Sequence, residues 1–224
     1  MSRARGAPAP VDLEVSLAPV IAQARLSEKT EAVCTRAGER WQLELWGSLP
    51  PSWAGSLALH CAGVGIDIVE GSGCRIEAAR WAARFVLSPG RGHATPGRGD
   101  AELHAFDFLR MARRRPSGAM HAALPRLESF EIVRLPGSGG FEVSVRGFDE
   151  PGFLAGVLER FALFGLHADR FIVGSEGELA ADWFVLRTTG GRMPSPDSVA
   201  ALRSALTACL SSSGRARAAT RAGS

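Results

Sequence analysis

The sequence predicts an α+β fold made of two βαββαβ repeats, the second lacking its last strand. A shift of one hundred positions lays WQLELWGSLPPSWAG (Trp41 to Gly55) over FEVSVRGFDEPGFLA (Phe141 to Ala155), with Gly47 on Gly147 and Pro51 on Pro151. Further on, Gly65 meets Gly165, and after a one-residue gap Phe85-Val86-Leu87 meets Phe184-Val185-Leu186. Both copies keep one order: strand, proline-containing turn, helix, glycine, strand, strand. That order is the ferredoxin-like plait, in which two helices cover one face of an antiparallel sheet.

The second copy, residues 140–210, reads clearly. Phe141, Val143 and Val145 alternate with Glu142, Ser144 and Arg146, the pattern of a half-buried strand. Phe153, Leu154, Val157, Leu158, Phe161 and Phe164 recur at helical spacing, and Gly165 is placed to end that helix. LHADRFIVGS and LAADWFVLRT form a hairpin about Glu176-Gly177-Glu178. Ser195 caps a second helix with Pro196 in its first turn. No strand pattern follows Leu210. Residues 211–224 read as a disordered tail, which leaves the edge of Phe141–Arg146 open to pairing.

The first copy, residues 39–136, is looser. Its strands are Trp41–Trp46, Ile66–Ser72 and Ala78–Leu87, and its helices Trp53–Ala62 and Glu102–Arg113. A glycine-rich loop, SPGRGHATPGRGD, precedes the second helix. SFEIVRL (Ser129 to Leu135) supplies the last strand, and Gly137-Ser138-Gly139-Gly140 links the copies. Residues 1–38 form an extension with a weak helical pattern between Leu13 and Ala37.

Composition narrows the function classes. The net charge of +3 comes almost wholly from arginine, with Lys29 the sole lysine. The basic clusters lie at the N-terminus, at Arg113-Arg114-Arg115 and in the tail, and read as solvated ends. The strands lack the basic-aromatic pattern of RNA-recognition sheets, so a nucleic-acid partner is not expected. No apolar run approaches the roughly 20 residues that span a bilayer, and no signal-peptide pattern is present, so the expectation is a cytoplasmic protein without a membrane partner. Cys34, Cys61, Cys74 and Cys209 are scattered and read as reduced thiols. His60, His93, His104, His121 and His167 show no metal spacing. The five tryptophans lie on core faces. No phosphate loop, nucleophile elbow or carboxylate pair argues for catalysis, so neither an enzyme nor a cofactor is expected.

The stretch GFDEPGFLAGVLERF (Gly147 to Phe161) carries the chemistry. Asp149 complements the positive end of the following helix, and Pro151 removes one orphan amide. Gly152 lets the backbone approach a neighbour or a ligand. The amides that are left can hold a carboxylate. From the residues alone, a plain helix cap and turn is the alternative.

The pattern V-x-G-F-D-E-P-G-F-L-x-x-V-L-x-x-F-x-x-x-G-L-x-A-D-x-F, continued by Asp182-Trp183-Phe184, resembles the ACT domain signature, most closely that of the C-terminal ACT domains of bacterial PII uridylyltransferases. The likeness covers Phe141 to Thr189. The first copy departs from it, with Leu49 at the aspartate and Ser52 at the glycine. The resemblance implies a tandem regulatory protein of the two-ACT kind, like the glycine cleavage repressors. An amino acid would bind where two ACT domains meet, at Asp149, Gly152, Phe153, Leu154 and His167. It also implies a homo-oligomer formed through ACT domains and a metabolic enzyme as partner. The alternative is a ligand-free module that assembles or docks on an enzyme of amino-acid or nitrogen metabolism.

Overall fold

The strands of both repeats join into one antiparallel sheet in the computed structural model, which describes residues 13–77, 79–90, 103–114, 122–135, 140–190 and 192–211. The first half comprises α1 (Leu13–Leu26), β1 (Glu31–Ala37), β2 (Arg40–Ser48), α2 (Trp53–Gly63), β3 (Ile66–Glu77), β4 (Arg80–Pro89) and α3 (Phe108–Arg113). The second comprises β5 (Leu127–Arg134), β6 (Phe141–Phe148), α4 (Phe153–Ala162), β7 (Leu166–Val173), β8 (Ser175–Glu176), β9 (Leu179–Thr188) and α5 (Pro196–Ala208). The sheet runs β1-β2-β4-β3-β7-β9-β6-β5, with β8 beside β9. The two four-strand orders mirror each other and are compatible with ferredoxin-like repeats.

The edge strands correct the expected boundaries. The segment expected to finish the first repeat is β5, and it pairs with β6, from Leu127↔Gly147 to Arg134↔Phe141. The second half therefore does not lack its edge strand, and the edge of Phe141–Arg146 is not open. The first half takes its own edge strand, β1, from the segment read as an extension, with Glu31↔Trp46 to Ala37↔Arg40. The physical reason is geometric. In a plait the edge strand runs antiparallel to the first strand, so a hairpin before that strand fills the place as well as a strand after the last helix. Each half is thus ββαββα in chain order. Sequence alternation shows that a strand exists, but not which neighbour it pairs with.

Gly47 and Gly147 are where this arrangement demands glycine. A Cβ on Gly147 would lie 2.4 Å from the Arg126 carbonyl oxygen, and one on Gly47 would lie 2.5 Å from Thr30 Cα. In both halves the chain enters its edge strand directly against that glycine.

The halves meet through β3 and β7, paired from Gly71↔Val173 to Cys74↔Arg170. Ser72 faces Ile172, its own counterpart at the hundred-residue offset, so a pseudo-twofold axis passes between them. Gly71 and Gly73 leave room here for rings. Phe85 and Phe171 stack with centroids 5.7 Å apart, and Trp53 meets both at about 6 Å. A Cβ on Gly71 would lie 2.4 Å from Phe85, and one on Gly73 would lie 2.4 Å from Phe171.

The sheet is covered on both faces, where the sequence led us to expect helices on one. α2, α4 and their neighbours enclose the larger core with Trp41, Trp53, Trp81, Phe161 and Phe184. α1 lies across the opposite face. Its Leu13 and Leu17 meet Cys74, Trp183 and Val185, and its Val20 and Ala24 meet Trp46 and Ala82. Arg80 donates to the Ala24 and Ser27 carbonyls at its C-terminal end, a favourable place for a cation, and Arg84 donates to Ser16 O at 2.9 Å. All five tryptophans are buried. The cysteines are free thiols, and burial pushes Cys61 up to about 12 and Cys74 to about 11. Among the described residues no helix is long and apolar enough to cross a membrane. The expectations for the first twelve residues, the 91–102 part of the glycine-rich loop, most of the linker and the tail beyond Ser211 lie outside the described residues.

Gly147→Ala tests the placement of β5. The added methyl meets a backbone carbonyl, and overpacking of this kind costs about 1–3 kcal/mol. Urea denaturation should show that loss; a change below about 0.5 kcal/mol, the range of ordinary surface substitutions, would contradict the crossing.

Candidate functional site

The pseudo-twofold creates two related clefts, one on each side of the β3–β7 seam. In the first, the turn that starts α4 faces the beginning of β3. It is lined by Asp67, Ile68, Glu70, Asp149, Gly152 and Asp182, among others, and has a volume of about 480 Å³. In the second, the turn that starts α2 faces the beginning of β7. It is lined by Pro51, Ser52, Leu59, Leu158, Phe161 and His167, among others, and holds about 150 Å³.

The Asp-Glu-Pro-Gly turn is built as its residue types require. Gly152 sits at φ +85, the left-handed region that favours glycine, and directly precedes α4. Phe153 is buried and anchors the helix start. Phe153 N donates to Glu150 O and Gly156 N to Gly152 O. The amides of Leu154 and Ala155 find no backbone acceptor among the described residues, as first-turn amides do not. Asp149 does not cap the helix. Its Oδ2 accepts from Ser175 Oγ at 2.7 Å, and its amide donates to Glu178 O. Ser175 thus holds Asp149 at the wall of the cleft.

Beneath the turn lies Asp182 on β9, only 3% exposed. Its Oδ1 accepts from Gly174 N at 3.2 Å. Burial pushes its pKa up from the ordinary 3.8 to about 8; the Gly174 hydrogen bond opposes that rise, and the neighbouring Asp149 charge adds to it. Asp182 therefore keeps its proton to a higher pH than an ordinary carboxyl group.

The four turn and helix residues expected at the site, Asp149, Gly152, Phe153 and Leu154, line the larger cleft together. His167 does not join them. It lines the smaller cleft, where its Nε2 lies 3.1 Å from Thr189 Oγ1, and burial followed by the Arg75 charge lowers its pKa. The twofold explains the separation: each turn faces the strand of the other half. The counterpart of His167 on β3 is Asp67, which does line the larger cleft. The hundred-residue offset, applied crosswise, was the signal that would have found Asp67. Asp182 stood in the motif but was read only as part of a signature.

The smaller cleft is chemically different. Leu49 replaces Asp149 and is buried, and Ser52 at φ −86 replaces Gly152. Arg75, the counterpart of Ser175, pairs with the buried Asp169, which also lies 3.4 Å from Arg187 Nε. The largely apolar lining of the cleft itself leaves little polar surface for a ligand. Among the described residues no group of three or more His, Cys, Asp or Glu side chains is arranged to hold a metal.

No protein-family model matches the chain. No curated protein matches it either. A crystal structure of aspartate kinase from Synechocystis is similar to it with a TM-score of 0.42 and 16% identity, over 85% of this chain and 31% of that one. The chain thus spans about a third of the length of that structure.

Asp182 sets a pH dependence. Its folded-state pKa lies above its unfolded value, so its contribution to stability is present below about pH 4 and is lost as pH rises through about 8. Asp182→Asn keeps the shape and the acceptor for Gly174 N without titrating. Thermal melts across pH 4–9 should show the variant losing less stability than the wild type; parallel profiles would contradict the raised pKa.

Proposed function

We propose that this is a non-catalytic regulatory protein of the ACT type that binds an amino acid in the larger cleft and passes the signal to a partner. The observation that carries this reading is the meeting of the Asp149–Ala155 turn of one half with the start of β3 of the other, around a cleft of about 480 Å³. A zwitterion has complementary groups along the turn wall of the cleft. The carboxylate of Asp149, steadied by Ser175, takes the ligand ammonium, and the first-turn amides of Leu154 and Ala155 at the positive end of α4 take its carboxylate. The ACT resemblance of residues 141–189 supports the same reading. A cleft closed over a ligand resists separation of the halves, and that differential affinity is what couples occupancy to the protein's state.

The ligand-free docking module is a second reading, favoured by the largely apolar smaller cleft and by β1 and β5, which stand at the two ends of the sheet.

A thermal-shift screen against the twenty amino acids separates the two. A ligand at about a hundred times its dissociation constant adds roughly 2.7 kcal/mol to stability. We expect a rise in Tm with at least one amino acid, abolished in Asp149→Ala and in Gly152→Val, whose branched side chain is strained at φ +85. Ser52→Val at the smaller cleft should leave the rise intact. No shift with any amino acid would favour the docking module.

A further inference from the structure

The internal repeat supplies a control for which residues the fold itself requires. Val145 on β6 faces Asp182, and the equivalent Leu45 on β2 faces Ala83. The fold is thus satisfied by a buried alanine where the second half buries a carboxyl group. In the same way Leu49 serves where the second half has Asp149. A buried carboxyl group is costly unless it is used. Both acids that depart from the first half point to one place, the larger cleft. Asp182 also has a group to offer there: its Oδ1 is taken by Gly174 N, while its Oδ2 receives no hydrogen bond from any described residue.

The charges around that group, all but one acidic, favour a cation. Lining the cleft with Asp182 are Asp149 and Glu150 from the turn, Asp67 and Glu70 from β3, and Arg40 from β2. Arg40, the one basic residue among them, lies 3.6 Å from Glu70, and Glu150 is paired with Arg126 at 2.7 Å. A second carboxylate on a ligand meets no uncommitted basic side chain among these lining residues, whereas a second ammonium meets Asp182.

We infer that the larger cleft selects ligands carrying a second positive charge, held by Asp182, so that its ligands are basic rather than acidic amino acids. This rests on the amino-acid reading above and adds the charge class to it. The selection carries its own signature. Burial keeps the proton on Asp182 up to about pH 8. A ligand cation beside it favours the carboxylate, so binding expels that proton, and affinity rises as the solution pH approaches that value.

Isothermal titration calorimetry of the full chain with L-lysine, L-leucine, L-glutamate and 1,5-diaminopentane tests this. We expect L-lysine to bind at least about tenfold more tightly than L-glutamate, with proton release into the buffer and an affinity that increases from pH 6.5 to 8.5. Asp182→Asn should flatten that profile and remove the proton release, while Asp67→Asn should leave the proton release in place. Binding of L-glutamate or L-leucine at least as tight as that of L-lysine would leave the amino-acid reading standing and overturn the charge selection. Binding of the diamine without any amino acid would keep the charge selection and overturn the amino-acid reading. Binding of none of the four would overturn both, and an unchanged pH profile in Asp182→Asn would remove Asp182 from the site.

Discussion

The pairing of β3 with β7 is the constraint from which the rest follows. Four residues on each strand set the register, and that register puts Ser72 opposite its own repeat counterpart Ile172. A slip of one residue would turn every side chain on one strand to the other face. Gly73 would then no longer lie under the Phe171 ring, and the shared aromatic core would clash. Because the register is fixed by packing, the crosswise approach of each turn to the opposite half is fixed too. The clefts are consequences of the seam, and they form within a single chain.

One scaffold operation thus produced two clefts, and the side chains then separated them. On one side Asp149, Ser175 and Asp182 give a polar wall in a space large enough for a small molecule. On the other, Leu49, Arg75 and Asp169 satisfy one another or the core. Buried ion pairs add little net stability, since desolvation offsets attraction. They do define geometry, and here they hold the β3–β7 junction on the side where no polar cleft is kept.

The hundred-residue repeat, the proline-containing turns and most strand and helix spans could be read from the sequence because they rest on local periodicity. The partners of SFEIVRL and of the segment before Arg40 could not. An edge strand alternates in the same way whichever neighbour it pairs with, and only the glycines at 47 and 147 hinted at a chain crossing there. α1 was equally obscure: it contains Pro19 and has no strong amphipathic stripe, and it is held by contacts with strands far along the chain. For the site, the Asp149–Leu154 turn was visible as local chemistry. His167 lies at the smaller cleft because the strand facing that turn comes from the other half, and Asp182 gains its meaning only from burial beneath the turn.

Hydrogen exchange of the full chain with and without a saturating amino acid tests the central claim most directly. The account predicts that the ligand slows exchange at two separated stretches together, Gly152–Ala155 at the start of α4 and Asp67–Glu70 on β3, and not at Ser52–Gly55 or His167–Asp169. Protection at the smaller cleft, or at the α4 turn without β3, would contradict a site shared between the two halves across the seam.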